Sequence, residues 1–228
     1  MDASNTFVRL ERISKSYRMG ETTNAALKDV TVTFEPSCFD ALAGPSGCGK
    51  TTLLNIMGCL DEPTGGKYYF EHALVDFRNK KQLSNFRKNN FGFVFQSFNL
   101  VPVLNALENV ELPLSLFRMS AEEAESKAVE MLSAVGLAEK VRSLPSQLSG
   151  GEQQRVSIAR ALVTNPRIVF ADEPTANLDR RNAEKIIRLM RELNGRFGSG
   201  FVFASHDPLI VSEASNVYEL DDGHIARR

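Results

Sequence analysis

The sequence predicts an α/β fold with a mainly parallel β-sheet. Short apolar segments alternate with segments in which apolar residues recur at helical spacing. Residues 168–171 and 201–204 are entirely apolar, as expected of strands that helices cover on both faces. The 228 residues, 43% of them hydrophobic, are enough to form a core without disulfides or a structural metal. We therefore expect a parallel sheet between layers of helices.

Composition limits the classes of function. Lys and Arg number 27 and Asp and Glu number 28, which argues against a nucleic-acid partner held by phosphate contacts. The cysteines (Cys38, Cys48 and Cys59) form no C-x-x-C pair and only three His are present, so we expect a reduced, cytoplasmic protein without a zinc cluster. We find neither a secretory signal nor an apolar run of 18 residues, and expect membrane contact only through a partner.

The first third predicts two strands and a helix. Residues 27–34 alternate apolar and polar side chains, as a half-buried strand does. Residues 39–43 form a short, mostly apolar segment that ends at a Gly-rich stretch. Four apolar side chains then recur at helical spacing within residues 51–60. Strand, loop and helix therefore follow one another in this order.

The middle third predicts helices. Ser120 and Glu123 have the spacing of a capping box at the start of an amphipathic segment, and a glycine suits its end. Residues 105–117 also have helical character, although Pro113 is expected to kink or divide that helix. We therefore predict a helical insertion over residues 97–147.

The last third returns to alternating helices and strands. The predicted elements are a helix over 151–163, a strand over 168–171, a helix with apolar residues of 183–193 on one face, and a strand over 201–204. We predict a single domain over residues 1–228, with a core formed by 1–96 and 148–228 and a helical subdomain over 97–147.

Residues 44–51 match the phosphate-loop (Walker A) pattern G-x-x-x-x-G-K-[ST] between a predicted strand and a predicted helix. The glycines let backbone N–H groups face phosphate oxygens, and the start of the helix adds partial positive charge. We expect Lys50 to reach the β- and γ-phosphates and the Thr51 hydroxyl to bind Mg²⁺; the alternative is a turn that binds nothing. The predicted nucleotide-binding residues here are Gly44, Pro45, Ser46, Gly47, Cys48, Gly49, Lys50, Thr51 and Thr52. For Cys48, ordinary packing is favoured over redox control.

Asp172 and Glu173 follow the apolar strand at 168–171, at the edge where parallel sheets bind ligands. Asp172 is expected to hold Mg²⁺, directly or through water, and Glu173 to act as the general base on the attacking water. Without a phosphate loop, the same pair would often be a polar surface turn. Beside one, it predicts hydrolysis of a nucleoside triphosphate.

The octet Leu148-Ser-Gly-Gly-Glu-Gln-Gln-Arg155 opens the helix predicted at 151–163. Its two glycines allow close approach of an anion to the backbone, and the helix dipole favours negative charge there. The alternative is an N-capped helix with a flexible entry. The complete octet favours a second anion receptor.

The phosphate loop, the octet and the acidic pair, in this order, resemble the ATP-binding subunits of ABC transporters. The resemblance covers essentially the whole chain and implies their fold, a phosphate-loop core with an N-terminal antiparallel β part and a helical insertion. It implies ATP and Mg²⁺ as ligands and a head-to-tail homodimer. In that dimer Ser149, Gly150 and Gly151 would contact the γ-phosphate held by the other subunit. Glu152 stands where many members have Gln, a common variant.

The same resemblance implies further site residues. Tyr17 matches the aromatic that stacks on adenine, and Gln96 the glutamine that senses Mg²⁺ and the attacking water. His206 matches the histidine that contacts the γ-phosphate, which makes it a catalytic residue together with Glu173 and Lys50. Each has a plain alternative: a strand tyrosine, a polar strand end and a structural histidine.

The resemblance also implies a role for residues 176–179, which match the loop that meets the opposite subunit. Read locally, Asp179 would cap the next helix. The Arg and Lys residues at 78–88 are most simply a solvated charged face.

Residues 60–65 and 91–113 look like the branch that contains the lipoprotein-releasing, macrolide-export and cell-division ATPases of bacteria. Two segments depart from it: Ser37-Cys38 stands where many members have Gly-Glu, and residues 71–86 match poorly. The resemblance thus implies an ATPase on the cytoplasmic face of the inner membrane that dimerises and drives a separate permease. A GTPase is disfavoured because N-K-x-D is absent, and a small-molecule kinase because it has no use for the octet. An ATP-dependent clamp on DNA or the ribosome is the remaining alternative.

Overall fold

The computed structural model describes residues 7–20 and 22–227. The strands are β1 (Val8–Met19), β2 (Thr22–Phe34), β3 (Phe39–Ala43), β4 (Gly65–Phe70), β5 (Ala73–Leu74), β6 (Phe91–Val94), β7 (Ile168–Asp172), β8 (Gly200–Ala204), β9 (Asn216–Asp221) and β10 (His224–Arg227). The α-helices are α1 (Lys50–Met57), α2 (Lys80–Asn90), α3 (Ala106–Glu111), α4 (Ala121–Ala134), α5 (Gly150–Leu162), α6 (Arg180–Phe197) and α7 (Pro208–Glu213).

The chain forms two compact units. The first comprises residues 1–87 and 200–228, and the second residues 88–199. The helical subdomain predicted over 97–147 falls inside the second unit, and its bounds stay a prediction.

The first unit contains two sets of strands. Antiparallel strands have the order β2-β1-β4-β5 and form the N-terminal β part that the family resemblance implies. The other strands have the order β10-β9-β3-β8, with β3 parallel to both of its neighbours and β10 antiparallel to β9. Phe39 on β3 packs against Phe201 and Phe203 on β8, with ring centroids 5.9 and 4.7 Å apart. Burial of these rings stabilises the strand that leads into the phosphate loop.

The second unit combines the parallel pair β6 and β7 with four α-helices. The predicted division at Pro113 is confirmed: α3 ends at Glu111 and a 3-10 helix, Leu112–Leu116, follows. The capping box of Ser120 and Glu123 is also confirmed at the start of α4. On α6, the five apolar side chains assigned to one face are all buried.

One predicted strand is longer in the structure. The predicted strand at 27–34 is the second half of the longer β2, whose first residues are exposed and polar and so lack an apolar alternation. The charged residues at 78–88 lie mostly on α2, where only Leu83 is buried. A largely solvated helix of this kind matches the expected charged face.

Within the described residues, no helix combines the length and the hydropathy that crossing a bilayer requires.

Candidate functional site

The phosphate loop joins β3 to α1 in a conformation that requires glycine. Gly44 and Gly49 have φ values of 146° and 110°, in a region that residues with a Cβ rarely adopt. A Cβ on Gly44 would lie 2.1 Å from the Leu220 carbonyl oxygen, and one on Gly49 would lie 2.5 Å from that of Ala26. Two separate constraints therefore require glycine at each position: the positive φ angle and the close approach of a neighbouring carbonyl oxygen.

Lys50 is the first residue of α1 and is buried. Its Nζ donates hydrogen bonds to the carbonyl oxygens of Gly44, at 2.8 Å, and Pro45, at 2.9 Å. An ammonium has three N–H donors, so the third remains for a phosphate oxygen. The first turn of α1 contains no acidic residue, and the partial positive charge of the helix start is not neutralised there. Residues 45–47 and Thr51 are exposed, as access by a ligand requires.

All three cysteines are buried and unoxidised. Burial raises the pKa of the Cys59 thiol to about 12 and that of Cys38 well above its ordinary value, so both are unreactive thiols near neutral pH. Cys48 is 6% exposed within the phosphate loop. This burial favours the packing role over redox control.

Tyr17 lies on β1 with 39% of its surface exposed. Its hydroxyl donates a hydrogen bond to Asp61 Oδ2 at 2.8 Å. The Thr52 side chain also forms a hydrogen bond with the Tyr17 hydroxyl. Lys15 Nζ lies 4.9 Å from the centroid of the Tyr17 ring. The structure thus brings together Tyr17 and Thr52, two of the predicted nucleotide-binding residues, and adds Lys15 and Asp61, which sequence reasoning missed.

His206 lies two residues after the end of β8 and is exposed. The residues on either side hold its backbone in a tight turn: Asp207 N–H donates to Ser205 Oγ at 3.1 Å, and Asp207 caps α7 by accepting from Leu209 N–H. Ser205 is fully buried. The position of His206 is therefore set by a buried strand end and a capped helix.

Asp172 ends β7, and Glu173 begins the turn that follows it. Glu173 has a φ of 43°, in the left-handed region that non-glycine residues seldom occupy. Ala176 N–H donates to the Glu173 carbonyl oxygen at 3.2 Å and closes this turn. A strained backbone at a candidate general base is typical of functional sites, because the surrounding structure must hold it in place.

Ser149 is the N-cap of α5 and forms a capping box with Glu152. Glu152 Oε2 accepts from both the N–H and the Oγ of Ser149, each at 2.8 Å. These hydrogen bonds lower the pKa of Glu152 below its ordinary value. The acidic variant at this octet position therefore serves the helix cap, since a carboxylate is the preferred acceptor at a helix start. The local interpretation of the octet as the start of an N-capped helix is therefore confirmed, and its role as an anion receptor stays a prediction.

Within the second unit, three predicted segments lie close together. The Asn177 side chain donates to the Gln96 carbonyl oxygen at 2.9 Å. A Cβ on Gly150 would lie 3.5 Å from Leu178 Cδ2 and 3.9 Å from Phe98 Cζ. The segment after β6, the start of the octet helix and the loop at 176–179 therefore contact one another. Asp179 also caps α6 by accepting from Asn182 N–H, as its local interpretation predicts.

Arg160 was not among the predicted site residues. From α5 it donates to the carbonyl oxygens of Phe98 and Asn99, at 2.7 and 2.5 Å, and burial lowers the pKa of its guanidinium. Phe98 and Asn99 both have positive φ, 59° and 50°. Arg160 therefore holds an irregular backbone that follows Gln96. Its sequence signal is weak, because an Arg on a helix usually faces solvent.

The predicted site residues thus fall on both units. Tyr17, residues 44–52 and His206 belong to the first, and Gln96, residues 149–151, Asp172 and Glu173 belong to the second. Ser37, where the resemblance noted a departure from Gly, has a φ of 53°, which explains why glycine suits this position.

Comparisons with known proteins identify the family of this chain. A family model described as ABC transporter matches residues 27–176. An uncharacterised ABC transporter ATP-binding protein, MJ0796 of Methanocaldococcus jannaschii, is 44% identical over 96% of this chain and 95% of its own length. The macrolide export ATP-binding/permease protein MacB of Wolinella succinogenes is 42% identical over 97% of this chain, which spans about a third (34%) of that relative's length.

The fold is also that of a solved structure. The ATP-binding cassette MJ0796, solved as a dimer in a post-hydrolysis state bound to ADP and Pi, superimposes with a TM-score of 0.89. The two chains are 43% identical, and the match covers 97% of each.

Proposed function

The chain belongs to the ABC transporter family of ATP-binding proteins, and from that premise we propose that it hydrolyses ATP as a homodimer that drives a separate membrane permease. The observation that carries this proposal is the phosphate loop. Its glycine-dependent curl, the buried Lys50 amine and the helix start behind it form a receptor for phosphate oxygens. The octet, which other phosphate-loop families lack, distinguishes the ABC class from those families.

Phosphate binding falls to the loop and to Lys50. The amine donates to a phosphate oxygen while its bonds to the Gly44 and Pro45 carbonyls hold it at the start of α1. Charge-assisted hydrogen bonds of this kind contribute about 1.5–3 kcal/mol each. The Tyr17 ring, exposed on β1, offers the flat apolar face that an adenine requires.

The donor set fits Mg²⁺. The Thr51 hydroxyl, the Asp172 carboxylate and the Gln96 side-chain amide oxygen are hard oxygen ligands of the kind this ion prefers, and they would hold it with the phosphates. When bound, the ion neutralises negative charge on the β- and γ-phosphates.

Glu173 acts as the general base. Its carboxylate takes a proton from the water that attacks the γ-phosphorus, and the bond between that phosphorus and the bridging oxygen breaks to release ADP and phosphate. His206 donates a hydrogen bond to the γ-phosphate and orients it. The strained backbone at Glu173 supports this role, because it fixes where the carboxylate begins.

Two copies of the chain together form each complete nucleotide site. Ser149, Gly150 and Gly151 contact the nucleotide held by the other copy, as the family resemblance implies. The related cassette MJ0796 is itself dimeric with ADP and Pi bound. The similarity to MacB supports a permease partner of the macrolide-export or lipoprotein-releasing type, and a location on the cytoplasmic face of the membrane.

A dilution experiment tests the shared site. ATPase activity per molecule should fall steeply as the isolated chain is diluted below the dissociation constant of the dimer, because each site needs two copies. Glu173→Gln, measured in parallel, reports any contaminating ATPase. Constant specific activity on dilution would contradict the homodimer. A pull-down from solubilised membranes should recover an integral membrane protein; recovery of ribosomes or DNA alone would contradict the transport role.

A further inference from the structure

Tyr17 is held at its edge and on one face by a two-residue ion pair. Its hydroxyl donates to Asp61 Oδ2 at 2.8 Å. Lys15 Nζ donates to the other oxygen of the same carboxylate, Asp61 Oδ1, at 2.6 Å and to the Glu62 carbonyl oxygen at 2.7 Å. The same ammonium lies 4.9 Å from the centroid of the Tyr17 ring. The three side chains therefore form one connected cluster.

Physical chemistry explains why this cluster is rigid. The Lys15 side chain is only 9% exposed, and a buried ammonium requires a charged partner, which Asp61 supplies. Partial burial of Asp61 acts to raise its pKa, but hydrogen bonds from Lys15 and Tyr17 together lower it below its ordinary value. Both charges are thus retained, and rotation of either side chain would break the ion pair between them.

The backbone around Lys15 is irregular in a way that serves the cluster. The β1–β2 pairing shifts register on both sides of Lys15. Such irregularities redirect side chains relative to a regular strand. Here Lys15 is buried while Tyr17, two residues further on, is partly exposed.

The cluster also ties Tyr17 to both ends of the phosphate-loop helix. Thr52, in the first turn of α1, hydrogen-bonds the Tyr17 hydroxyl. Asp61 follows the end of α1, where Leu60 N–H and Asp61 N–H both donate to the Asn55 carbonyl oxygen. The ring is therefore positioned relative to the helix that begins with Lys50.

We propose that Lys15 and Asp61 are positioning residues for the purine base, which hold the Tyr17 ring in the orientation that stacks on adenine. The proposal rests on the ATP-binding function proposed above and assigns roles to two residues outside the phosphate loop. The Lys15 ammonium lies over one face of the ring, and 39% of the Tyr17 surface remains exposed for contact with a base. A ring that is already fixed loses little conformational freedom on binding, and stacking depends on a defined offset geometry.

The test separates base recognition from phosphate recognition. The dissociation constants of ADP and of inorganic pyrophosphate are measured by calorimetry for the wild type, Asp61→Asn, Tyr17→Ala and the double variant. Asp61→Asn should weaken ADP binding about tenfold and pyrophosphate binding less than about twofold, because pyrophosphate has no base. Glu62→Gln is the matched control, since its exposed carboxylate pairs with Lys80 and does not contact Tyr17.

The double variant distinguishes positioning from a general structural role. Where Tyr17 is already Ala, Asp61→Asn should weaken ADP binding by less than about a further twofold, because no ring remains to position. An undiminished effect in that background, or equal losses for ADP and pyrophosphate, would overturn the proposal.

Tyr17→Phe keeps the proposal testable even if Asp61→Asn does not fold. It removes only the hydroxyl, and ADP affinity should fall at least about threefold while pyrophosphate affinity is retained. Unchanged ADP affinity would overturn the proposal. A wild type that binds neither ligand would instead contradict the ATP-binding function itself, so the two failures are distinguishable.

Discussion

The Gln154 side chain donates a hydrogen bond to the carbonyl oxygen of Pro174, 2.6 Å away. Gln154 is fully buried on α5, the helix that begins with the octet glycines. Pro174 directly follows Glu173, the candidate general base. The bond therefore links the helix that carries the octet to the turn that carries this candidate carboxylate.

Gln154→Met should lower kcat clearly while changing the free energy of unfolding only slightly. The change leaves the Pro174 carbonyl unpaired, but it also removes Gln154 Oε1, a buried atom with no hydrogen-bond partner among the described residues, so the two effects on the free energy of unfolding partly cancel. A small displacement of Glu173 should still reduce kcat about tenfold, because general-base catalysis depends on position. Thermal unfolding and steady-state ATPase assays measure the two effects. A loss of stability with unchanged kcat would contradict this role.

Glu173→Gln should nearly abolish turnover and leave nucleotide binding intact. General-base assistance contributes about 10²–10⁴ in rate, and the amide cannot accept the proton of the attacking water. The variant should therefore accumulate as an ATP-bound dimer. Size-exclusion chromatography with saturating ATP and Mg²⁺ measures this, and a monomeric elution profile would contradict it. ADP in place of ATP is the control.

Lys50→Ala should weaken ATP binding itself. The variant loses charge-assisted hydrogen bonds of about 1.5–3 kcal/mol each, and the Gly44 and Pro45 carbonyls lose their shared donor. We expect the dissociation constant of ATP to rise at least about tenfold, measured by calorimetry. Normal affinity would show that the amine does not contact the phosphates. Lys28→Ala on β2, which removes an amine paired with Asp222, is the control.

Asn109→Ala should destabilise the second unit. Asn109 is fully buried, accepts from Val101 N–H at 2.8 Å and donates to the carbonyl oxygens of Val101, Leu104 and Asn105. Each buried group left unpaired costs about 1–3 kcal/mol, so the free energy of unfolding should fall by at least about 2 kcal/mol. Urea unfolding measures the change. A loss below about 0.5 kcal/mol, the range of ordinary surface substitutions, would contradict this role.

Low pH should reduce the contribution of Asp61 to the stability of the fold. Its pKa is lowered in the folded protein from an ordinary value of 3.8, so its stabilising effect is complete above that value and is lost as the pH falls through the lowered pKa. The difference in stability between wild type and Asp61→Asn should therefore shrink steadily below about pH 3.8. Thermal melts over a pH series measure it. A difference that stays constant through this range would show that the Asp61 charge does not stabilise the fold.

Local patterns predict much of the local structure around the candidate site. The phosphate loop at 44–51 is encoded in consecutive residues because its curl depends on its own glycines, although the Cβ clashes at Gly44 and Gly49 come from Leu220 and Ala26. The division of a helix at Pro113 and the caps at Ser120 and Asp179 follow equally from neighbouring residues.

Contacts between distant residues escaped sequence reasoning. The segment 60–65 indicates a branch of the family, yet no pattern shows that Asp61 meets Tyr17, 44 residues earlier in the chain. Gln154 lies inside the octet, but its bond to Pro174 depends on how α5 packs. Arg160 and Asn177 contact the segment after β6 for the same reason.

By itself, the sequence determined the class of fold, and it predicts the phosphate-binding residues and the hydrolytic carboxylate, because each depends on residue types at short, fixed spacings. Tertiary structure alone decided which side chains hold these groups in place. They are the Lys15–Asp61 ion pair that contacts Tyr17, the Gln154 amide that bonds the residue after Glu173, and the Arg160 guanidinium that bonds the backbone after Gln96. Burial creates these partnerships, since a polar group removed from water must find its partner wherever the packed chain places one.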